Sequence, residues 1–166
     1  MLPIVTYPAP VLSTPAAEVK FPLDPVTQQL IADMWDTVRG QGIGLAAPQV
    51  GVGKQICIIH LSTTEKGRQA KDFVMINPRI TFYSQSEHLM VEGCLSFPDE
   101  YYKIWRPANI TVEYQDENGK KRTLKAKEWL SRVIQHEVDH LNAKLFINLG
   151  GEKMRPEELE GEEIVD

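Results

Sequence analysis

Two histidines four residues apart, His136 and His140, enclose a glutamate in the run Gln135-His136-Glu137-Val138-Asp139-His140-Leu141. On an α-helix that spacing puts both imidazoles on one face, where they can reach a single divalent cation. The Glu137 carboxylate lies beside the first of them, within reach of a water on that cation. Such a set suits metal-assisted hydrolysis, the cation activating water and the carboxylate moving protons. An amphipathic helix with incidental polar residues on its inner face would need neither the ligand spacing nor the embedded acid.

Two histidines leave a catalytic cation short of one protein ligand. Zinc proteases with this helix motif take a third histidine a few residues later, or a glutamate about twenty residues on. The other histidines, His60 and His88, both lie upstream. Glu160 and Glu163 stand at a suitable distance, but no apolar stripe holds their segment rigid. Cys94, in Glu92-Gly93-Cys94-Leu95-Ser96, is the better candidate: alone it would read as a buried core cysteine, but a thiolate binds zinc or ferrous iron strongly and donates charge to it. Gly93 leaves the backbone beside it room for an unusual conformation. A third segment is Gly42-Ile43-Gly44-Leu45-Ala46-Ala47-Pro48-Gln49. Its small residues permit close approach to a ligand, and the Gln49 amide could donate to an oxyanion. No Lys-Ser or Lys-Thr pair follows the last glycine, so it does not match a phosphate-cradling loop.

These side chains need a frame. Five prolines in the first 24 residues predict an extended arm lying over the domain. Asp24-Pro25 then reads as a cap and first turn, and Val26, Leu30, Met34 and Val38 as the packed stripe of a helix that ends at Gly40, Gly42 and Gly44. Strands are predicted over 55–61, 73–77, 80–84 and 109–114. Asn118-Gly119 turns the last of these into a partner over 122–126. A second helix over about 127–141 carries the histidines. The order predicts an α+β fold, with one central helix packed against sheet.

The chain has 166 residues, 42% of them apolar and 25% charged, which fits one soluble domain that needs no disulfides. Its apolar runs are too short for a membrane span, and the N-terminus lacks the pattern of a leader peptide, so the cytoplasm is the expected location. Cys57 and Cys94 form no Cys-x-x-Cys pair, and a disulfide between them is disfavoured in a reducing compartment. Seven acids and two bases fall in 152–166, leaving residues 1–151 neutral. We therefore divide the chain into a catalytic domain, 1–151, and an acidic tail, 152–166, expected to be solvated and mobile. No dense cationic surface for nucleic acid is indicated.

Together the three motifs closely resemble the signature of the peptide deformylases, in order and in separation, and the likeness extends over roughly residues 1–149. That resemblance implies antiparallel sheets packed around a central metal-binding helix, with one N-terminal helix. It implies a hydrolase of protein biosynthesis that removes the N-formyl group from the initiator methionine of nascent polypeptides and releases formate. By similarity Cys94, His136 and His140 hold the metal, Glu137 moves the proton, and the Gln49 amide and Leu95 N–H stabilise the oxyanion. The metal implied is Fe2+, with Zn2+, Ni2+ or Co2+ able to use the same ligands. The expected substrate contacts are Gly42, Ile43, Gly44, Leu45, Met90, Glu92, Gly93, Trp129 and Val133. Among these, Ile43, Met90, Trp129 and Val133 would wall a slot for the methionine side chain, and the peptide would pair along the Ile43–Leu45 backbone as an added strand. The expected partners are N-formyl-methionyl nascent peptides and, transiently, the ribosome; a monomer without membrane or direct nucleic-acid binding is anticipated.

Two departures stand out: Tyr101 where many relatives carry arginine, and Ala143 where glycine is common after the helix motif. The tail is acidic, whereas some relatives end in a basic helix. Two rival readings are a zinc protease using a tail glutamate and a peptide-binding module that has lost catalysis. The presence of Gln49, Leu95 and Glu137 speaks against the second.

Overall fold

The computed structural model describes residues 1–61 and 71–165. Helix α1 (Pro25–Val38) begins as the sequence requires, with the Asp24 carboxylate accepting from the Thr27 N–H at 2.6 Å and Pro25 in the first turn. Its buried stripe is Thr27, Ile31, Met34 and Val38, whereas Val26 is exposed. A strict four-residue step drifts by about 40° each time, so only a mixture of threes and fours stays on one face.

The strands follow in the order β1 (Gly44–Ala46), β2 (Ile56–Leu61), β3 (Lys71–Tyr83), β4 (Glu87–Glu92), β5 (Tyr102–Pro107), β6 (Asn109–Gln115), β7 (Lys121–Lys127), β8 (Glu152–Lys153) and β9 (Ile164–Val165), with helix α2 (Glu128–Leu141) after β7. An antiparallel five-stranded sheet has the order β1-β2-β3-β6-β7, and a four-stranded sheet the order β8-β5-β4-β9. The segments 73–77 and 80–84, expected as two strands, are one. Pro78 cannot donate to the ladder, and β3 continues through shifts of register between Ile76 and Arg79 and between Ile80 and Phe82. The expected hairpin forms: the Gly119 N–H reaches the Asp116 C=O at 2.9 Å, and Gly119 takes φ +78°, which suits a residue without Cβ. Strands β1, β4 and β5 were not expected. In β5 the buried positions are Ile104 and Arg106, so an arginine interrupts the apolar alternation.

Every residue of Ile56–Ile59 is buried because both faces of β2 are covered. Cys57 and Ile59 join Met75, Ile110, Val112 and Ala126 against Val133, Ile134, Val138 and Leu141 of α2. Ile56 and Ile58, with Leu45 and Ile76, pack on Ile31, Met34 and Val38 of α1. The five-stranded sheet thus lies between the two helices, and α2 also touches β5 of the smaller sheet. Both cysteines are free, and no helix among the described residues is long and apolar enough to cross a membrane.

The acidic segment, expected to be solvated, is exposed over much of 152–163 but carries two short paired strands. β8 pairs with β5, β9 pairs in parallel with β4, and Lys103 holds Glu162 at 2.9 Å. Folded structure therefore crosses the 151/152 boundary. Open strand edges and one apolar pair, Ile164-Val165, outweigh the acidic composition around them.

Candidate active site

Helix α2 turns its chemistry inward: His136, Glu137 and His140 are all buried. Cys94, two residues beyond the end of β4, meets them there. One donor atom from each of Cys94, His136 and His140 lies within 4.8 Å of the others, and Cys94 Sγ is 3.3 Å from His140 Nε2. A tetrahedral zinc site with its usual bond lengths has a sulfur-to-nitrogen edge of about 3.5 Å, so this donor set fits one soft or borderline divalent cation.

Surrounding groups orient the donors. The Glu92 carboxylate can only accept, so the His136 Nδ1 it meets at 2.8 Å carries the proton and Nε2 is left for a cation. The Ala46 N–H can only donate, which places Gln49 Oε1 against it at 2.9 Å and turns Nε2 toward Cys94 Sγ at 3.4 Å. The 3-10 turn Ala47–Val50 that carries Gln49 follows directly on β1. Gly44 in β1 lies so close to α2 that an added Cβ would come within 2.8 Å of Glu137 Cδ. The small residue is needed for that approach.

Glu92, expected to touch substrate, is instead fully enclosed. Arg106 grips it with two nitrogens at 2.6 and 2.9 Å and reaches Asp139 at 2.7 Å. Arg132 donates to it at 2.7 Å and to the carbonyls of Ile104 and His88 at 2.9 and 2.6 Å. Burial alone would raise the Glu92 carboxyl, but the bonds from His136 and Arg106 outweigh it and hold the group well below the carboxylate range. Burial also disfavours a charge on His136, yet its bonds with Cys94 and Glu92 push the imidazole well above the histidine range. His140 goes the other way, lowered by burial and then by His136 and Arg106, which favours the neutral imidazole. Cys94, His136 and His140 would hold a cation here only with His136 Nε2 unprotonated, so its binding would be coupled to proton release.

Of the expected slot residues, Val133 is buried, and Ile43, Met90 and Trp129 pack half-buried against the same apolar cluster. Leu45 turns its side chain to the α1 side, leaving its backbone on the sheet edge. Tyr101 accepts a bond from the Met154 N–H through its carbonyl. The family model described as polypeptide deformylase matches residues 1–155.

The chain belongs to the peptide deformylase family. It is 45% identical over 155 residues to the peptide deformylase of Wolbachia pipientis wMel, covering 89% of this chain and 86% of that one. The crystal structure of the deformylase from Ehrlichia chaffeensis superposes with a TM-score of 0.83 at 38% identity, over 90% of this chain and 87% of that one. A class I type b deformylase from Acinetobacter baumannii, crystallised with Met-Ala-Ser bound, gives 0.82 at 32% identity, over 89% and 97%. This deformylase is a metal-dependent hydrolase that removes the N-formyl group from nascent polypeptides. Arg106 and Arg132, which hold Glu92, and Asp139, which accepts from Arg106, escaped the sequence reading. The available signal was weak: Arg132 precedes His136 by one helical turn, and Asp139 shares its face.

Proposed function

We propose that Cys94, His136 and His140 hold Fe2+ in this deformylase, with Zn2+, Ni2+ or Co2+ able to replace it. A cation held there would supply Lewis-acid polarisation of the formyl carbonyl and a lowered pKa for the attacking water. Glu137 takes the proton of the attacking water and passes it to the departing amine. The Gln49 amide and the Leu95 N–H donate to the oxyanion that develops on the formyl oxygen, and loss of one such donor costs about 3–4 kcal/mol. Ile43, Met90, Trp129 and Val133 wall the methionine slot, and the backbones of Gly42, Gly44, Leu45 and Gly93 receive the peptide. A formyl carbon is small enough for this crowded centre, whereas an acetyl group or an internal peptide bond is not. We assign the enzyme to the cytoplasm as a monomer that meets nascent chains near the ribosome.

The observation that carries this reading is the convergence of a thiol and two imidazoles beside an amide whose orientation is dictated by Ala46. Formate release from formyl-Met-Ala by anaerobic, iron-loaded protein is the test. Glu137→Ala should retain the metal and lose turnover by roughly a hundredfold or more; loss of metal in that variant would make Glu137 structural. Loss of metal on replacing Glu160 and Glu163 with Gln, with metal kept in Cys94→Ser, would favour the tail-glutamate protease instead.

A further inference from the structure

We infer that Ile164–Val165 occupies the groove through which the formyl-methionyl peptide reaches the metal ligands, so that the chain's own segment competes with substrate. The inference rests on the assignment of the methionine slot above. Ile164 and Val165 pair in parallel with Val91 and Glu92 on the edge of β4, and the Gly93 N–H donates to the Val165 carbonyl at 2.8 Å. Gly93 immediately precedes Cys94. The Gly93 backbone is among those assigned above to the peptide, so the segment and an extended peptide would both use it.

The side chain adds an independent observation. Val165 is only 2% exposed although six of the seven acids of its segment precede it. It belongs to the apolar cluster of Ala46, Val133 and Val138, against which Ile43, Met90 and Trp129 pack. These are the walls expected to receive methionine. Valine is apolar but shorter than methionine and carries no formyl group here, so it fills the slot incompletely and offers nothing to cleave.

The attachment is also weak enough to yield. β9 is two residues long, and the Lys103–Glu162 pair beside it is about 30% exposed, 29% and 32% for the two side chains. Pairs of that kind contribute little, and so short a strand opens at low cost. Tethering supplies a high local concentration that offsets the poor fit.

The test compares the full chain with Val165→Glu and with a chain lacking residues 160–166. Calorimetry would measure affinity for Met-Ala-Ser, and kinetics would measure turnover of formyl-Met-Ala-Ser. If the segment competes, Kd and KM fall together in both variants by roughly three- to tenfold, with kcat unchanged, because the open groove is more populated. Exchange of the Gly93 amide should speed up in parallel. Affinity that is unchanged or weaker in both variants would overturn the proposal and make the segment a strut. Absence of Met-Ala-Ser binding in all three proteins would overturn it together with the slot. Formate release is read separately: Met-Ala-Ser binding without formate release in any of the three would refute the catalytic roles and still measure the competition.

Discussion

At the residue scale the decisive group is Glu92, a carboxylate sealed between His136, Arg106 and Arg132. It selects the histidine tautomer and neutralises two buried cations. Glu92→Gln keeps the shape and loses the charge. The variant should lose about 3–5 kcal/mol of stability, the usual cost of breaking a buried ion pair. Metal affinity should fall by about 10–100-fold, as when a partner of a ligating histidine is removed. Denaturant unfolding and metal titration would read the two effects. Ala143 is a second informative residue. It sits just past α2 with φ +57°, while the Lys144 N–H closes the helix on the Asp139 carbonyl at 2.9 Å. A left-handed residue with a Cβ costs about 1–2 kcal/mol, part of which glycine returns through its freer unfolded chain. Ala143→Gly should therefore stabilise the fold by about 1 kcal/mol, seen as a higher Tm with unchanged turnover. The sequence had already marked this position as one where glycine is usual, and the backbone supplies the reason.

At the element scale, α1 is held at its start by Asp24, whose bonds from the Thr27 N–H and hydroxyl lower its carboxyl below the ordinary 3.8. A group depressed in the folded state adds stability that is complete above its unfolded value and is lost as pH falls through the folded one. The Thr27 amide resonance should therefore titrate with a midpoint below 3.8, and Asp24→Ala should abolish that titration and lower the Tm. The cap was legible because Asp-Pro is a local signal, decided within one turn. β4 and β5 were not legible. Their inward positions include Glu92 and Arg106, and only pairing of the two strands makes such residues acceptable partners inside.

At the scale of the whole molecule, the proline-rich arm ties the three motifs together. The Val5 N–H donates to the Gln49 carbonyl at 2.7 Å, the Tyr7 N–H to Ser96 at 2.9 Å, and the Ala16 N–H to Leu141 at 2.9 Å. The Tyr7 ring stacks on Phe97 at 5.1 Å. Each bond reaches a residue within, or one step beyond, a motif that bears on the site. Deleting residues 2–8 should lower kcat on the order of tenfold to a hundredfold, since small misplacements of positioning groups are costly. Metal content, read by elemental analysis, should change little, because no cation donor is removed. An equal loss of metal would show instead that the arm supports the ligands.

The sequence by itself determined which donors stand at ligand spacing, the helix that carries two of them, and the family. Helical periodicity and the donor chemistry of Cys, His and Glu are properties of the residues and need no partner. The tertiary structure alone decided which carboxylate would orient His136, that two arginines would be buried with it, that the arm would tie the motifs, and that an acidic segment would fold back along β4. Those outcomes depend on strand register and on which edge lies open. Both are set by pairings between residues far apart in the chain, for which local sequence carries no signal.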